Sequence, residues 1–202
     1  MKITMDFTPI IRLRLKDAFG DQKVFQMVSN DSDYLDYLFE WTDRGNVFII
    51  DDVNTGHSIF LLDTRGLGTD KTFKVINRSH KDLFLWHIDG ILYYADSKCD
   101  CALLTNDYLG FVEFKSNASN NTEASIKGNY EKAKLQLTQT IMDVVDRCKK
   151  VGVKLQDVVN VEAFAVFNRT VPRHNAYQKK LAAQFLLDTD GIPLYFKNDA
   201  EV

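Results

Sequence analysis

Proline and cysteine are scarce in this 202-residue chain: there are three of each, beside ten glycines. So few chain breakers leave little room for long linkers. An odd number of cysteines does not suggest a disulfide framework. Cys99 and Cys101 are two residues apart, and on a strand such residues face the same way and would be neighbours. A zinc site would need more ligands, and no second cysteine pair or spaced histidine pair completes one. Two small buried side chains are the plainer reading. No apolar run approaches the roughly 20 residues of a membrane span. The first residues lack the apolar stretch of a signal peptide, so a cytoplasmic protein with no membrane partner is expected. Internal repeats and low-complexity tracts are also missing.

What is present suits a packed domain. Hydrophobic residues make up 45% and aromatics 12%, enough for one sizeable core, so residues 1–202 are expected to form a single domain. The net charge of −3 hides an asymmetry. Residues 1–125 carry 13 basic against 19 acidic residues (−6), residues 126–180 carry 11 against 5 (+6), and residues 181–202 carry 1 against 4 (−3). A basic stretch on an acidic chain can face an anionic partner such as nucleic acid, or it can be a solvated helix face. The overall acidity argues against indiscriminate coating of DNA.

Residues 1–80 read as short strands around one helix. Residues 10–15 alternate apolar and basic, residues 47–50 and 58–62 form strands joined by turn chemistry at residues 54–56, and residues 65–68 form a loop. Residues 31–41, with early acids and apolar residues at helical spacing, predict a helix capped at Asp31 or Ser32. Further along, residues 83–88 and 91–94 flank Asp89 and Gly90 as a two-residue hairpin. Strands follow at residues 99–104 and 109–115, with a turn at Asn106 and Asp107 between them. The three- and four-residue spacing of Ile126, Tyr130, Ala133, Leu137, Ile141, Val144 and Cys148 predicts a long helix over residues 125–150, ended by Gly152. Residues 158–167 read as a central strand, residues 175–187 as a helix, and residues 192–196 as a last strand. Strand, crossover helix and buried strand make a parallel step, so the expectation is an α/β fold with a mixed central sheet flanked by helices.

One constellation carries chemistry. Glu113 and Lys115 lie two apart on an apolar strand and project from one face, while a short turn ties that strand to the one that Asp100 opens. Two converging carboxylates suit Mg²⁺ or Mn²⁺, and a lysine beside them would hold an attacking water or a phosphate, as phosphodiester hydrolysis requires. Asp21 with Lys23 and Asp96 with Lys98 have similar spacing but no apolar strand around them, whereas Glu113-Phe114-Lys115 is the one Glu-x-Lys of the chain. The plainer alternative is an edge ion pair between Asp100 and Lys115. His87 and Asp89 are two apart and could suggest a second metal, yet turn chemistry accounts for Asp89 and Gly90. Asp107 is likewise a turn residue. Arg169, Arg173 and His174 follow the central strand and could contact nucleic-acid phosphates, or simply form an exposed basic loop. The aromatic residues, scattered through apolar strands, fit core packing better than base stacking.

Asp100, twelve intervening residues, Glu113-Phe114-Lys115, a long helix and a buried strand together resemble the PD-(D/E)xK superfamily, the restriction-endonuclease-like nucleases. The resemblance covers residues 83–168, extends toward 197, and says little about residues 1–80. It implies a nuclease-like core over residues 83–197 behind an N-terminal β-rich extension of strands and one helix over residues 1–80. It also implies that Asp100 and Glu113 bind Mg²⁺ or Mn²⁺ together with the Phe114 carbonyl, and that Lys115 positions the water. Cys99 stands where the family has proline. Glu40 is the candidate for the family's upstream helical acid, with 59 residues before Asp100, although a solvated helix acid explains it as well. Gln136 and Gln139 are candidates for a glutamine on the following helix, with plain surface amides the alternative.

The expected function is a metal-dependent nuclease acting on phosphodiester bonds, with DNA the expected substrate. The alternative is a catalytically silent nuclease-fold module that binds nucleic acid or regulates. A third reading is an interaction protein with no nucleic-acid role. A homodimer is left open by the sequence, and fold-level analogy alone does not fix activity.

Overall fold

The computed structural model describes residues 17–22, 38–62, 72–93, 98–115, 122–168 and 175–202. It is a mixed α/β arrangement. Among the described residues ten strands run in chain order: β1 (Phe39–Thr42), β2 (Asn46–Asp52), β3 (His57–Leu61), β4 (Thr72–Ile76), β5 (Leu83–His87), β6 (Cys101–Leu104), β7 (Tyr108–Lys115), β8 (Asn160–Phe167), β9 (Leu194–Tyr195) and β10 (Asp199–Glu201). The helices that matter here are α1 (Glu123–Lys150), α2 (Leu155–Val158) and α3 (Ala176–Asp188). A six-stranded sheet has the order β1-β5-β6-β7-β8-β9, antiparallel up to β7 and parallel from β7 to β9. A four-stranded sheet has the order β10-β4-β2-β3.

Alternation along the strands divides the core in two. Leu109 and Phe111 of β7 pack with Ala102, Leu104, Ala163 and Ala165 under Tyr130, Ala133, Leu137, Ile141 and Val144 of α1. The opposite residues, Val112, Phe114, Leu103, Phe164 and Val166, meet Val47, Ile49, Phe73 and Val75 of the small sheet. The large sheet is therefore the middle layer, which is why β7 and β8 are apolar on both faces.

Local chemistry sets the helix ends. Thr122 accepts the Ser125 N–H at the start of α1, and Glu123 suits the dipole there, as Arg147, Lys149 and Lys150 do at the end. Gly152, at φ +80°, then allows the N–H groups of Gly152 and Val153 to bond the carbonyls of Lys149 and Cys148. Asn175 and Gln178 cap each other's backbone at the start of α3. Among the described residues no helix is long and apolar enough to cross a membrane.

Several expectations fail. Glu40 lies on strand β1, not a helix: residues 39–42 pair with β5, and Phe39 stacks on the buried Trp86, an interaction that outweighs local helical spacing. Of the strand expected at residues 91–94, residues 91–93 do not pair with β5 as a hairpin, since Leu92 and Tyr93 both donate to the Ile88 carbonyl in a turn and β6 takes the place beside β5; residue 94 lies outside the described residues. Ile91, Leu92 and Tyr93 still find the core, so their apolar character marked burial and not a strand. Gly90 does need its glycine: φ is +75°, and a Cβ there would sit 3.0 Å from the Gly56 carbonyl. Cys99 and Cys101 face opposite cores because the chain bends at Asp100, before β6 begins, so Cys99 is not part of the strand whose alternation would have turned both the same way. The last expected strand shortens to Leu194–Tyr195, and β10 was not anticipated. The strand at residues 10–15, the caps at Asp31 and Ser32 and the loop at residues 65–68 lie outside the described residues.

Candidate active site

The end of β7 carries two charges out of an apolar strand. Its alternation turns Glu113 and Lys115 to the side of Leu109 and Phe111, beneath α1. Glu113 is only 1% exposed, a cost tolerated only with compensation. Its Oε1 accepts from the Lys115 ammonium, which also donates to Oε1 of Gln136 on α1 at 2.5 Å. Gln136 in turn donates from Nε2 to the Lys98 carbonyl at 2.9 Å. One turn later Thr140 accepts the Cys99 N–H at 2.8 Å and donates to the Gln136 carbonyl. The long helix thus grips both neighbours of the segment that leads to Asp100.

Asp100 comes opposite Glu113 because β6 and β7 pair Cys101 with Val112. Its Oδ2 accepts the Phe114 N–H at 2.5 Å, continuing the ladder where β6 has ended. In an extended strand the N–H and C=O of one residue leave on the same side, so the Phe114 carbonyl is turned toward Asp100 as well.

Glu113 pairs with the Lys115 ammonium, whose charge also reaches Asp100 and the exposed Asp51 and Asp89. Burial and then the Glu113 charge raise the Asp100 carboxyl well above the usual range, against the opposing effect of the Phe114 N–H. Burial raises Glu113 to about 7, although Lys115 pulls it down, and Asp89 and Asp51 add to the rise. Asp89 and Asp51 are themselves raised, chiefly by desolvation. The Glu113 Oε2 atom is buried without a hydrogen-bond partner among the described residues. Such a set favours a cation between the acids: oxygen-rich, short of positive charge, and carrying an unsatisfied anionic oxygen.

The sequence anticipated part of this group. Asp100, Glu113, Lys115 and Gln136 come together, and Lys115 pairs with Glu113, not with Asp100 in an edge ion pair. Gln139 is exposed and takes no part in this network among the described residues. Arg169, Arg173 and His174 lie outside the described residues. Asp51 and Asp89 were missed as neighbours. Asp89 does bond the Gly90 N–H as a turn residue, and that turn also carries it to the site. Asp51 shares the parity of Val47 and Ile49, so its position at the inward edge of β2 was readable, but not what it would meet.

Glu40 belongs elsewhere. Its Oε2 accepts the Phe60 N–H at 2.8 Å, and its Oε1 lies 3.9 Å from Nε2 of His87. The ring of His57 stands 4.6 Å from that of His87. Burial, then the neighbouring His57, pushes the His87 imidazole down to about 4, so it is neutral at pH 7.

No family model, curated protein or solved structure matches the chain.

Proposed function

We propose that this chain is a metal-dependent nuclease that hydrolyses phosphodiester bonds, with DNA as its substrate, in the manner of the PD-(D/E)xK enzymes it resembles. The observation that carries the reading is Glu113: a carboxylate 1% exposed, with one oxygen on Lys115, the other buried and unpartnered among the described residues, and Asp100 opposite.

The donors fit Mg²⁺ or Mn²⁺. Asp100, Glu113 and the Phe114 carbonyl would hold the ion, which would supply charge stabilisation at the phosphoryl oxygens and a more acidic water. Lys115 Nζ, steadied by Glu113 and Gln136, would orient the attacking water and face the charge that develops on the phosphate. Glu113, with its carboxyl near neutrality, would lose its proton on meeting a cation, so metal affinity should rise with pH through that range. The site also lies at the carboxyl ends of the parallel strands β7 and β8, where open α/β sheets place their ligands. Helices α1 and α3 begin after those same strand ends and border a cleft of about 660 Å³ lined by Lys127, Lys180, Tyr130 and Tyr177. Glu123 lines it too and pairs with Lys127, and Tyr130 is buried, so Lys180 is the cation this cleft offers to a phosphate backbone.

The test incubates the full chain with plasmid, linear DNA and RNA, each with Mg²⁺, Mn²⁺ or chelator. Cleavage should need the divalent ion and should vanish in Asp100→Ala and Lys115→Ala while circular dichroism remains unchanged. Equal activity in both variants and the parent would remove the proposal. DNA binding at low salt without turnover would replace it with a binding module.

A further inference from the structure

The layer between the two sheets holds a second set of ligating groups, separate from the acids around Lys115. Glu40 comes from β1, His87 from β5 and His57 from β3, so two elements of the large sheet and one of the small sheet converge. Their nearest ligand atoms all lie within 4.8 Å of one another. His87 follows the parity of Leu83 and Leu85, which face the small sheet, whereas Glu113 follows Leu109 and Phe111 on the α1 side.

We propose that Glu40, His57 and His87 form a transition-metal site that takes Zn²⁺. Two imidazoles and one carboxylate are a zinc donor set, with a fourth position left for water, and the imidazoles make it unsuited to Mg²⁺. Zinc bonds of about 2.0–2.2 Å put tetrahedral ligand atoms roughly 3.4 Å apart, so side-chain rotations of about 1 Å would close the cluster on an ion.

The outer contacts are those of a ligand set. His57 Nδ1 lies 3.1 Å from the Thr55 carbonyl, which makes it the protonated nitrogen and leaves Nε2 with its lone pair. Glu40 has one oxygen fixed by the Phe60 N–H and the other turned to His87. His87 is 3% exposed, and its Nδ1 is buried with no hydrogen-bond partner among the described residues. A histidine buried that far with an unsatisfied nitrogen is costly in a purely packing role. An ion here would bridge β1 and β5 to β3, joining the two sheets at an edge.

The experiment titrates the full-length chain, freed of metal by chelator and dialysis, with Co²⁺ and then Zn²⁺ in excess Mg²⁺ to occupy hard oxygen sites. One equivalent of Co²⁺ should give the visible absorption of four-coordinate cobalt, and Zn²⁺ should displace it and raise Tm. His57→Gln and Glu40→Gln should each weaken Zn²⁺ binding by roughly 100-fold while the metal-free Tm changes little. Asp100→Asn should leave Zn²⁺ affinity as it was. The site is overturned if Co²⁺ shows no saturable binding, if both His57→Gln and Glu40→Gln bind like the parent, or if Asp100→Asn abolishes binding. None of these outcomes depends on whether the chain cleaves DNA.

Discussion

Lys115 and Gln136, 21 residues apart, meet across the gap between the end of β7 and the fourth turn of α1, ammonium to amide oxygen at 2.5 Å. The amide's other end is fixed on the Lys98 carbonyl, so one side chain joins the lysine to the segment that precedes Asp100. Gln136→Leu should therefore act on reaction more than on fold. Loss of these two bonds should cost about 1–2 kcal/mol in urea unfolding. The cleavage rate should fall roughly 10–100-fold with DNA affinity unchanged. Single-turnover kinetics beside a binding titration would check both, and a full-rate variant would show that Lys115 needs no such tether.

The raised Glu113 carboxyl makes a pH prediction with a definite sign. Between about 4.5 and 7 the folded protein keeps a proton that the unfolded chain has released, so stability falls as pH rises through that window. The shift corresponds to roughly 3 kcal/mol at most. Without divalent ions, Glu113→Gln should match the parent near pH 4.5 and exceed it at pH 8, by less than the full amount because Lys115 loses its partner. Urea melts at both pH values would show this, and an equal gap at the two would contradict it.

Thr140 is buried, and its hydroxyl both accepts from Cys99 and donates to Gln136. Thr140→Val keeps the shape but leaves the Cys99 N–H unsatisfied in the interior. It should destabilise by about 1–3 kcal/mol, and Thr140→Ser should recover most of that in thermal melts.

Gly110 is required by packing. A Cβ there would lie 2.8 Å from the Tyr108 hydroxyl and 2.9 Å from its Cε1, and that ring is 5% exposed and bonded to Glu162. Gly110→Ala should cost about 1–3 kcal/mol. Paired with Tyr108→Leu, it should cost much less than the sum of the single changes, which a double-mutant cycle of denaturation energies would measure.

The elements whose signals are local were legible in the chain alone: the α1 spacing with its end at Gly152, the helix from Asn175, the apolar runs of β7 and β8, and the Glu113–Lys115 pair on one strand face. Each depends on residues within a few positions of each other, so periodicity and capping chemistry expose it. Long-range contacts settled that Glu40 is a strand residue, that residues 91–93 turn, that a bend at Asp100 sends Cys99 and Cys101 to opposite cores, and that Asp51 and Asp89 come within range of the Lys115 charge. The same holds for Glu40, His57 and His87, which meet from three strands. Those outcomes depend on which distant strands pair and which faces bury, and pairing energy is spread over contacts that no local window contains.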